Sequence, residues 1–176
     1  MQALRDYQKL IADVDRRCRR IASRHRDQVT CVKGCAGNCC RIHLSVYPVE
    51  AVSMALALQK LSPDLRRRIQ HKARHTNSFG PCPLIEDGAC LMYDARAVIC
   101  RTHGLPVFTE YRGHRMIGFC QKNFQNLAPV SENDAIHLPE LNHSLAAVNR
   151  KFVSEFAHLL PSGKRLTVSE ALLIDV

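Results

Sequence analysis

The sequence predicts a mainly α-helical single domain, spanning residues 1–176, with a small irregular β part. Two apolar stripes at helical spacing lie near the two ends of the chain, and two short turn signals lie between them. There is no Trp and aromatic residues make up only 6%, so the core must consist largely of Leu, Ile, Val and Ala. This composition favours helices. With 46% hydrophobic residues, a chain of 176 residues is long enough for one compact domain.

The two terminal helices are predicted from apolar residues that recur at three- and four-residue steps. The first helix covers about residues 2–26 and the last about residues 139–160. Pro139 is suited to the first turn of the last helix, and Pro161 stops it. Cys18 falls on the first stripe, so we expect it to be a small core residue. We expect the two helices to pack together around the cysteine-bearing, metal-binding loops. Their stripes are Leu4, Tyr7, Ile11, Val14, Cys18 and Ile21, and Leu138, Leu141, Leu145, Val148, Phe152, Phe156 and Leu159.

Two shorter helices are predicted after the first cysteine-rich stretch. Pro48 stands at a first-turn position and begins a helix over about residues 49–61. Ser62, followed by Pro63, is suited to cap a third helix that ends near His75. With the two terminal helices, they give four predicted helices and a helix-dominated fold.

The middle of the chain is more typical of short strands. The Asp87-Gly88 pair predicts a tight hairpin turn between residues 84–86 and 89–93. The Arg112-Gly113 pair predicts a second hairpin within residues 107–120. These hairpins account for the small β part of the predicted fold.

The chain is strongly basic, with 25 Lys and Arg against 16 Asp and Glu and a formal charge of +9. Residues 66–75 carry five basic residues and no acid, and the first helix carries a second arginine-rich stretch. Such a charge favours anionic partners. A solvated helix face explains these stretches more simply, because no nucleic-acid-binding module signature is present. We therefore place nucleic acid below a metal ion among the expected partners.

The cysteine content points to metal chemistry in a reducing compartment. The sequence begins with no apolar signal region and contains no uncharged run of membrane-spanning length. We therefore expect a cytoplasmic protein with no membrane partner. In that compartment, nine cysteines favour metal binding or redox chemistry over a disulfide scaffold, and an odd number does not allow complete pairing.

Eight of the nine cysteines form the candidate metal site. Four stand within ten residues, where Gly34 and Gly37 allow the loop to fold back, and four more follow near glycine or proline. Eight thiolates suffice for one polynuclear centre or two four-thiolate sites, and both zinc and iron accept such ligands, the latter also as an iron–sulfur cluster. The candidate ligands are Cys31, Cys35, Cys39, Cys40, Cys82, Cys90, Cys100 and Cys120.

The cysteine pattern resembles the YkgJ-type cysteine-cluster family of zinc- or iron-chelating proteins, often labelled iron–sulfur-cluster-containing proteins. The resemblance covers roughly residues 31–120 and implies that all eight cysteines are metal ligands. It supplies a cofactor class and no reaction. Both early gaps here hold three residues where the family usually has two, and Ala97 stands where it usually has Pro. The matching pieces are Cys31-x3-Cys35-x3-Cys39-Cys40, Cys82-Pro83-Leu84, Gly88-x-Cys90-x2-Tyr93-x2-Arg96-x3-Cys100-Arg101 and Gly118-x-Cys120.

The sequence thus favours a metal-binding protein with a redox or metal-handling role. The alternative is a zinc-stabilised module without catalytic activity that binds a protein or a nucleic acid. No phosphate loop, nucleophile elbow, zinc-protease motif or dinucleotide motif is present, and no particular protein partner is indicated. Arg96 and Arg101 have two interpretations: they neutralise the thiolate site, or they pair with Asp87 or Asp94.

Overall fold

The fold is mainly α-helical with small β-sheets, as the sequence predicts. The computed structural model describes residues 2–30, 40, 44–77, 80–125, 130–156 and 164–176. None of the helices in these ranges is both long enough and apolar enough to cross a membrane. The helices are α1 (Gln2–Arg24), α2 (Pro48–Gln59), α3 (Pro63–His75), α4 (Val98–Thr102), α5 (Leu138–Glu155) and α6 (Val168–Leu172). The strands are β1 (Ser45–Val46), β2 (Ile85–Glu86), β3 (Ala89–Cys90), β4 (Val107–Tyr111), β5 (His114–Gly118), β6 (Ile136–His137) and β7 (Leu166–Thr167).

The two terminal helices pack against each other and form the first of two apolar cores, as predicted. The start of α1 lies beside the end of α5, because the Ala3 amide donates to Glu155 at 3.4 Å and Lys151 pairs with Asp6 at 2.5 Å. The two helices therefore run antiparallel. The residues that their stripes bury in this core are Leu4, Tyr7, Val14, Ile21, Leu141, Leu145 and Phe152.

The helix boundaries differ slightly from the predicted ones. α1 ends at Arg24 rather than near residue 26, because the next residues form a turn in which the His25 carbonyl accepts from the Gln28 and Val29 amides. α5 begins at Leu138, one residue before the predicted start, and ends at Glu155. Phe156, which was predicted to be helical, is the cap residue at which the helix ends. Residues 157–160 of the predicted helix and its stop at Pro161 lie outside the described residues.

A second core is built from α2, α3 and α6. α2 joins the two cores, because Val49 is buried in the first and Met54 and Leu58 in the second. The α6 residues Ala171 and Leu172 are fully buried in the second core. The sequence patterns did not predict α6 or the strand before it. β7 pairs antiparallel with β1 and fastens this C-terminal segment to the start of α2.

The predicted starts of α2 and α3 are confirmed. Pro48 occupies the first turn of α2. An amide hydrogen at this position would have no acceptor within the helix, so proline, which lacks this hydrogen, is well suited to it. The Ser62 side chain caps α3 by accepting from the Leu65 amide at 3.4 Å. α3 ends at His75, as predicted.

Both predicted hairpins are present, and each turn uses two residues in the left-handed region. Asp87 and Gly88 have φ of 48° and 77° between β2 and β3, and Arg112 and Gly113 have φ of 50° and 77° between β4 and β5. Positive φ at both central residues matches the twist of a two-residue hairpin. β6 adds a third strand parallel to β4, giving the order β5-β4-β6.

Candidate metal centre

Five of the eight predicted ligands lie in the described part of the chain. Cys40, Cys82, Cys90, Cys100 and Cys120 are all half-buried. They are carried by loops, a short strand and a short helix, in line with their prediction as residues near turns. The other three predicted ligands, Cys31, Cys35 and Cys39, lie outside the described residues.

Cys82, Cys90 and Cys100 come together against the second core. The Cys82 carbonyl accepts from the Ile85 amide at 3.0 Å, and Ile85 pairs with Cys90 across the β2–β3 hairpin. Burial is the main cause that raises the pKa of the Cys100 thiol to about 12, and the thiols of Cys82 and Cys90 raise it as well. Nearby thiols have this effect because two thiolates repel each other. The three sulfurs thus share one electrostatic environment.

Cys40 is attached directly to this group. Its carbonyl accepts a hydrogen bond from the Cys82 amide at 2.8 Å. Cys40 is the last cysteine of the first cluster, and Cys82 is 42 positions further along the chain. The C-terminal end of the first cluster is therefore held beside the second group of cysteines.

Cys120 is joined to the end of α4, the helix that carries Cys100. The Gly104 carbonyl accepts from the Cys120 amide at 3.5 Å and from the Asn123 side-chain amide at 2.7 Å. The Asn123 backbone amide in turn donates to the Cys120 carbonyl at 2.8 Å. The buried Asn123 therefore fixes the Cys120 turn against α4.

The same asparagine also fixes the residue that precedes Cys31. The Thr30 amide donates to the Asn123 side-chain oxygen at 3.0 Å, and the Thr30 hydroxyl donates to the Lys122 carbonyl at 2.7 Å. Two residues before Thr30, the Gln28 carbonyl accepts from the Phe124 amide at 2.9 Å. The chain therefore enters residues 31–39 beside the Cys120 turn and leaves them, at Cys40, beside Cys82.

A complete metal site is not present among the described side chains. Within those ranges, no group of three or more His, Cys, Asp or Glu residues is arranged so that it could hold a metal ion. Three of the eight predicted ligands are outside the ranges concerned. Convergence of all eight thiolates on metal therefore stays a prediction.

Cys18 belongs to a different environment. It packs against the first core, as its place on the α1 stripe predicts, whereas Cys82, Cys90 and Cys100 pack against the second. Burial raises the pKa of the Cys18 thiol to about 11. Its sulfur lies 3.6 Å from the Arg101 carbonyl oxygen. Cys18 is thus a half-buried cysteine outside the predicted ligand set.

Of the two interpretations of the arginines near Cys100, pairing with the carboxylate of Asp87 or Asp94 is not seen among the described residues. The charge of Arg96, however, opposes the rise that burial causes in the pKa of the Cys100 thiol, as expected of an arginine beside a thiolate site. The side chain of Arg101 is only 8% exposed, and its Nη1 donates to both carboxylate oxygens of Asp15 at 2.9 and 2.8 Å. Arg101 contacts Asp94 only through the backbone carbonyl. Arg96 stacks on the Tyr93 ring, with Cζ 3.5 Å from the ring centre, and donates to the Cys100 carbonyl at 3.1 Å. The Asp15–Arg101 pair therefore joins α1 to the cysteine-bearing α4.

A buried carboxylate that the sequence patterns missed also positions α4. Glu50 is 2% exposed; one oxygen accepts from the Tyr47 amide at 2.9 Å and the other from the Val98 amide at 3.0 Å. Burial raises the pKa of Glu50, while the two amide hydrogen bonds favour its charged form. Its signal was an acid two residues after Pro48, at the third helical position of α2. No comparable local signal marks Asn123.

Comparison with protein-family models, with curated proteins and with solved structures gives no match for this chain. The resemblance to the YkgJ-type cluster family therefore rests on the sequence pattern within residues 31–120 alone. The case for a metal centre must come from the positions of the cysteine-bearing segments and from thiolate chemistry.

Proposed function

We propose that this protein binds zinc or iron, the latter also as an iron–sulfur cluster, and has a redox or metal-handling role. The observation that carries the proposal is the attachment of the two residues that flank residues 31–39 in the sequence. Thr30 is hydrogen-bonded to the Cys120 turn and Cys40 to Cys82. The proposed ligands are Cys31, Cys35, Cys39, Cys40, Cys82, Cys90, Cys100 and Cys120.

The donor set fits a thiolate-bound metal. A zinc–sulfur bond is about 2.3 Å long, so sulfurs on one ion must lie within about 4 Å of each other. Thr30 is held beside the Cys120 turn and Cys40 beside Cys82, and the three remaining proposed ligands stand between these two residues in the sequence. Soft thiolate ligands select zinc and iron–sulfur centres over hard cations.

The protonation state of Cys100 determines how metal binding should depend on pH. At neutral pH the buried Cys100, with its pKa of about 12, is a neutral thiol. A cation at the site reverses the sign of the local field and favours the thiolate, because a coordinating thiol loses its proton. Metal binding should therefore release protons and depend on pH.

The alternative proposal is a zinc ion with a purely structural role, in a module that binds a partner. It is supported by the packing of Cys82, Cys90 and Cys100 against the second core. A structural zinc there would join the β2–β3 hairpin to α4. Its binding free energy would stabilise this part of the fold in addition to the burial of apolar side chains. The two proposals share their ligands and differ in whether the metal has a redox or metal-handling role or only holds the fold together. Bound iron would favour the first.

We expect protein purified without oxygen to contain stoichiometric zinc or iron, and Cys82→Ser to lose most of it. Metal analysis, sulfide analysis and the visible spectrum measure the outcome. A brown protein with sulfur-to-iron charge transfer supports the cluster, whereas a colourless zinc protein supports the structural alternative. The matched control is Cys18→Ser, another half-buried cysteine, which should keep its metal. Absence of both metals from the native protein, or equal loss in both variants, contradicts the proposal.

A further inference from the structure

The side of α1 that faces away from the first core is a row of exposed cations. Successive helical residues are rotated by about 100°, so Lys9, Arg16 and Arg20 fall within about 40° of one another around the helix. Tyr7 and Val14, which are buried, lie on the opposite side. We call this surface the arginine face. It consists of Lys9, Arg16, Arg17, Arg19, Arg20 and Arg24, all of them exposed.

The cations at the centre of the arginine face are not neutralised by the rest of the described chain. Arg17, Arg19 and Arg20 form no ion pair with any described residue. Arg16 pairs with Asp13, which lies on the same face, in a solvent-exposed contact. The side chains of these five residues line a shallow hollow that is open to solvent. Four guanidinium groups with one carboxylate give this surface a net positive charge.

The basic residues of α3 form the other cationic cluster of the sequence, and several of them pair with carboxylates of the same chain. Arg68 pairs with Glu86 at 2.9 Å, and Lys72 reaches the same carboxylate at 3.5 Å. Arg67 pairs with Asp64 at 2.5 Å. Three of its cations thus have carboxylate partners from α3 itself or from β2. The charge that remains available to a partner is therefore concentrated on α1.

We propose that the arginine face binds the phosphate backbone of a nucleic acid. With a rise of about 1.5 Å per residue, Arg16 and Arg20 lie about 6 Å apart along a ridge, with Arg17 and Arg19 on either side. Arg24, at the end of the ridge, is paired with Asp134. A polyanion with regularly repeated charges can contact such a ridge at several points at once. The guanidinium fork donates two parallel hydrogen bonds to a phosphate, which a lysine cannot do. Contacts to phosphates carry no base information, so binding should be independent of sequence.

A membrane surface is a poorer fit to the same face. A helix that lies on a membrane inserts an apolar side between the lipids. The apolar side of α1 is buried in the first core. The large apolar residues that are exposed in the described ranges, such as Tyr111 and Met116, lie on other elements, none of them on α1. Binding of α1 to a bilayer would therefore depend only on the charges of the lipid headgroups.

The test compares the native protein with two double variants that change the net charge equally. All three proteins are used in their metal-loaded form. Arg17→Glu with Arg20→Glu alters the arginine face, and Arg67→Glu with Arg74→Glu alters exposed α3 positions. Fluorescence anisotropy is measured with a labelled duplex DNA and an RNA duplex of the same sequence, between about 50 and 200 mM salt. Circular dichroism and metal content check that each variant is folded and loaded.

We expect the native protein to bind both duplexes with Kd of about 10⁻⁴–10⁻⁶ M at physiological salt. Each phosphate contact adds about 0.9 to the magnitude of the slope of the log binding constant against log salt concentration. The α1 variant loses two arginines, so the magnitude of its slope should be lower by about 2 than that of the native protein. At low salt it should bind at least about tenfold more weakly than the native protein. The α3 variant should keep the native slope. Equal weakening of both variants, no salt-dependent binding, or capture by anionic phospholipid vesicles in place of nucleic acid overturns the proposal. A metal-free but fully binding protein would contradict the metal proposal alone.

Discussion

Removal of the metal is expected to loosen residues 31–120 while α1 and α5 keep most of their helical structure. Three of the proposed ligands, Cys82, Cys90 and Cys100, pack against the second core, whereas the terminal helices hold each other through the first core. Structural zinc sites contribute about 10–16 kcal/mol of apparent binding free energy at neutral pH. A whole domain has a free energy of unfolding of only about 5–15 kcal/mol, so the cysteine-bearing part should not survive this loss.

Hydrogen exchange read by mass spectrometry, with and without a strong chelator, measures this difference segment by segment. Faster exchange should be concentrated in β2, β3 and α4. Readdition of the metal should restore the slow exchange, which separates metal loss from irreversible damage. An unchanged thermal melt and an unchanged exchange pattern after complete metal removal would count decisively against a role of metal in the fold.

The second large effect is expected from Asp15→Ala. Arg101 is 8% exposed, and Asp15 is the carboxylate that accepts from its guanidinium in the described structure. Breaking a buried ion pair leaves an uncompensated charge and destabilises a protein by about 3–5 kcal/mol. The side chain of Asp15 is 31% exposed, so water replaces part of the lost interaction. We therefore expect the free energy of unfolding to fall by about 3 kcal/mol, at the lower end of that range.

Asp13→Ala is the matched control, with the same substitution two residues earlier on the same helix. Asp13 pairs with Arg16, but their side chains are 55% and 65% exposed. Exposed pairs contribute only about 0–1 kcal/mol. Denaturant unfolding of both variants measures the difference. Equal destabilisation by the two substitutions would show that the Asp15–Arg101 contact does not hold α4 against α1.

The helices and hairpins were predictable because their signals are local. Buried Leu4, Tyr7, Val14 and Ile21 recur within one helix, so periodicity alone identifies α1. The Ser62 cap and the two glycine-containing turns each involve only residues a few positions away in the sequence. Each of these features depends on backbone geometry that neighbouring residues determine.

The elements that the sequence did not reveal depend on distant partners. α6 is five residues long and begins after β7, whose partner β1 lies about 120 positions earlier in the chain. A two-residue strand has no periodicity to detect. Likewise, the partner of Arg101 is 86 positions away at Asp15, so nearby Asp87 and Asp94 were the natural sequence candidates.

The candidate site was predictable in its residue types and not in its geometry. The spacing of the cysteines predicts ligands, because clustered thiols near glycine and proline have little to gain from packing. It could not reveal that Asn123 holds Thr30 and Gly104 together, since a single buried asparagine leaves no pattern in a sequence. The same holds for Glu50, which joins two helix starts through backbone amides.

X-ray absorption at the zinc and iron edges tests the central claim, thiolate ligation of a metal, most directly. The native protein, purified without oxygen, should show about four sulfur neighbours per metal, at about 2.3 Å for zinc. An iron–sulfur centre would add an iron neighbour to the iron-edge data. A first shell made of nitrogen and oxygen, or no zinc or iron at all, would contradict the assignment of the eight cysteines as metal ligands.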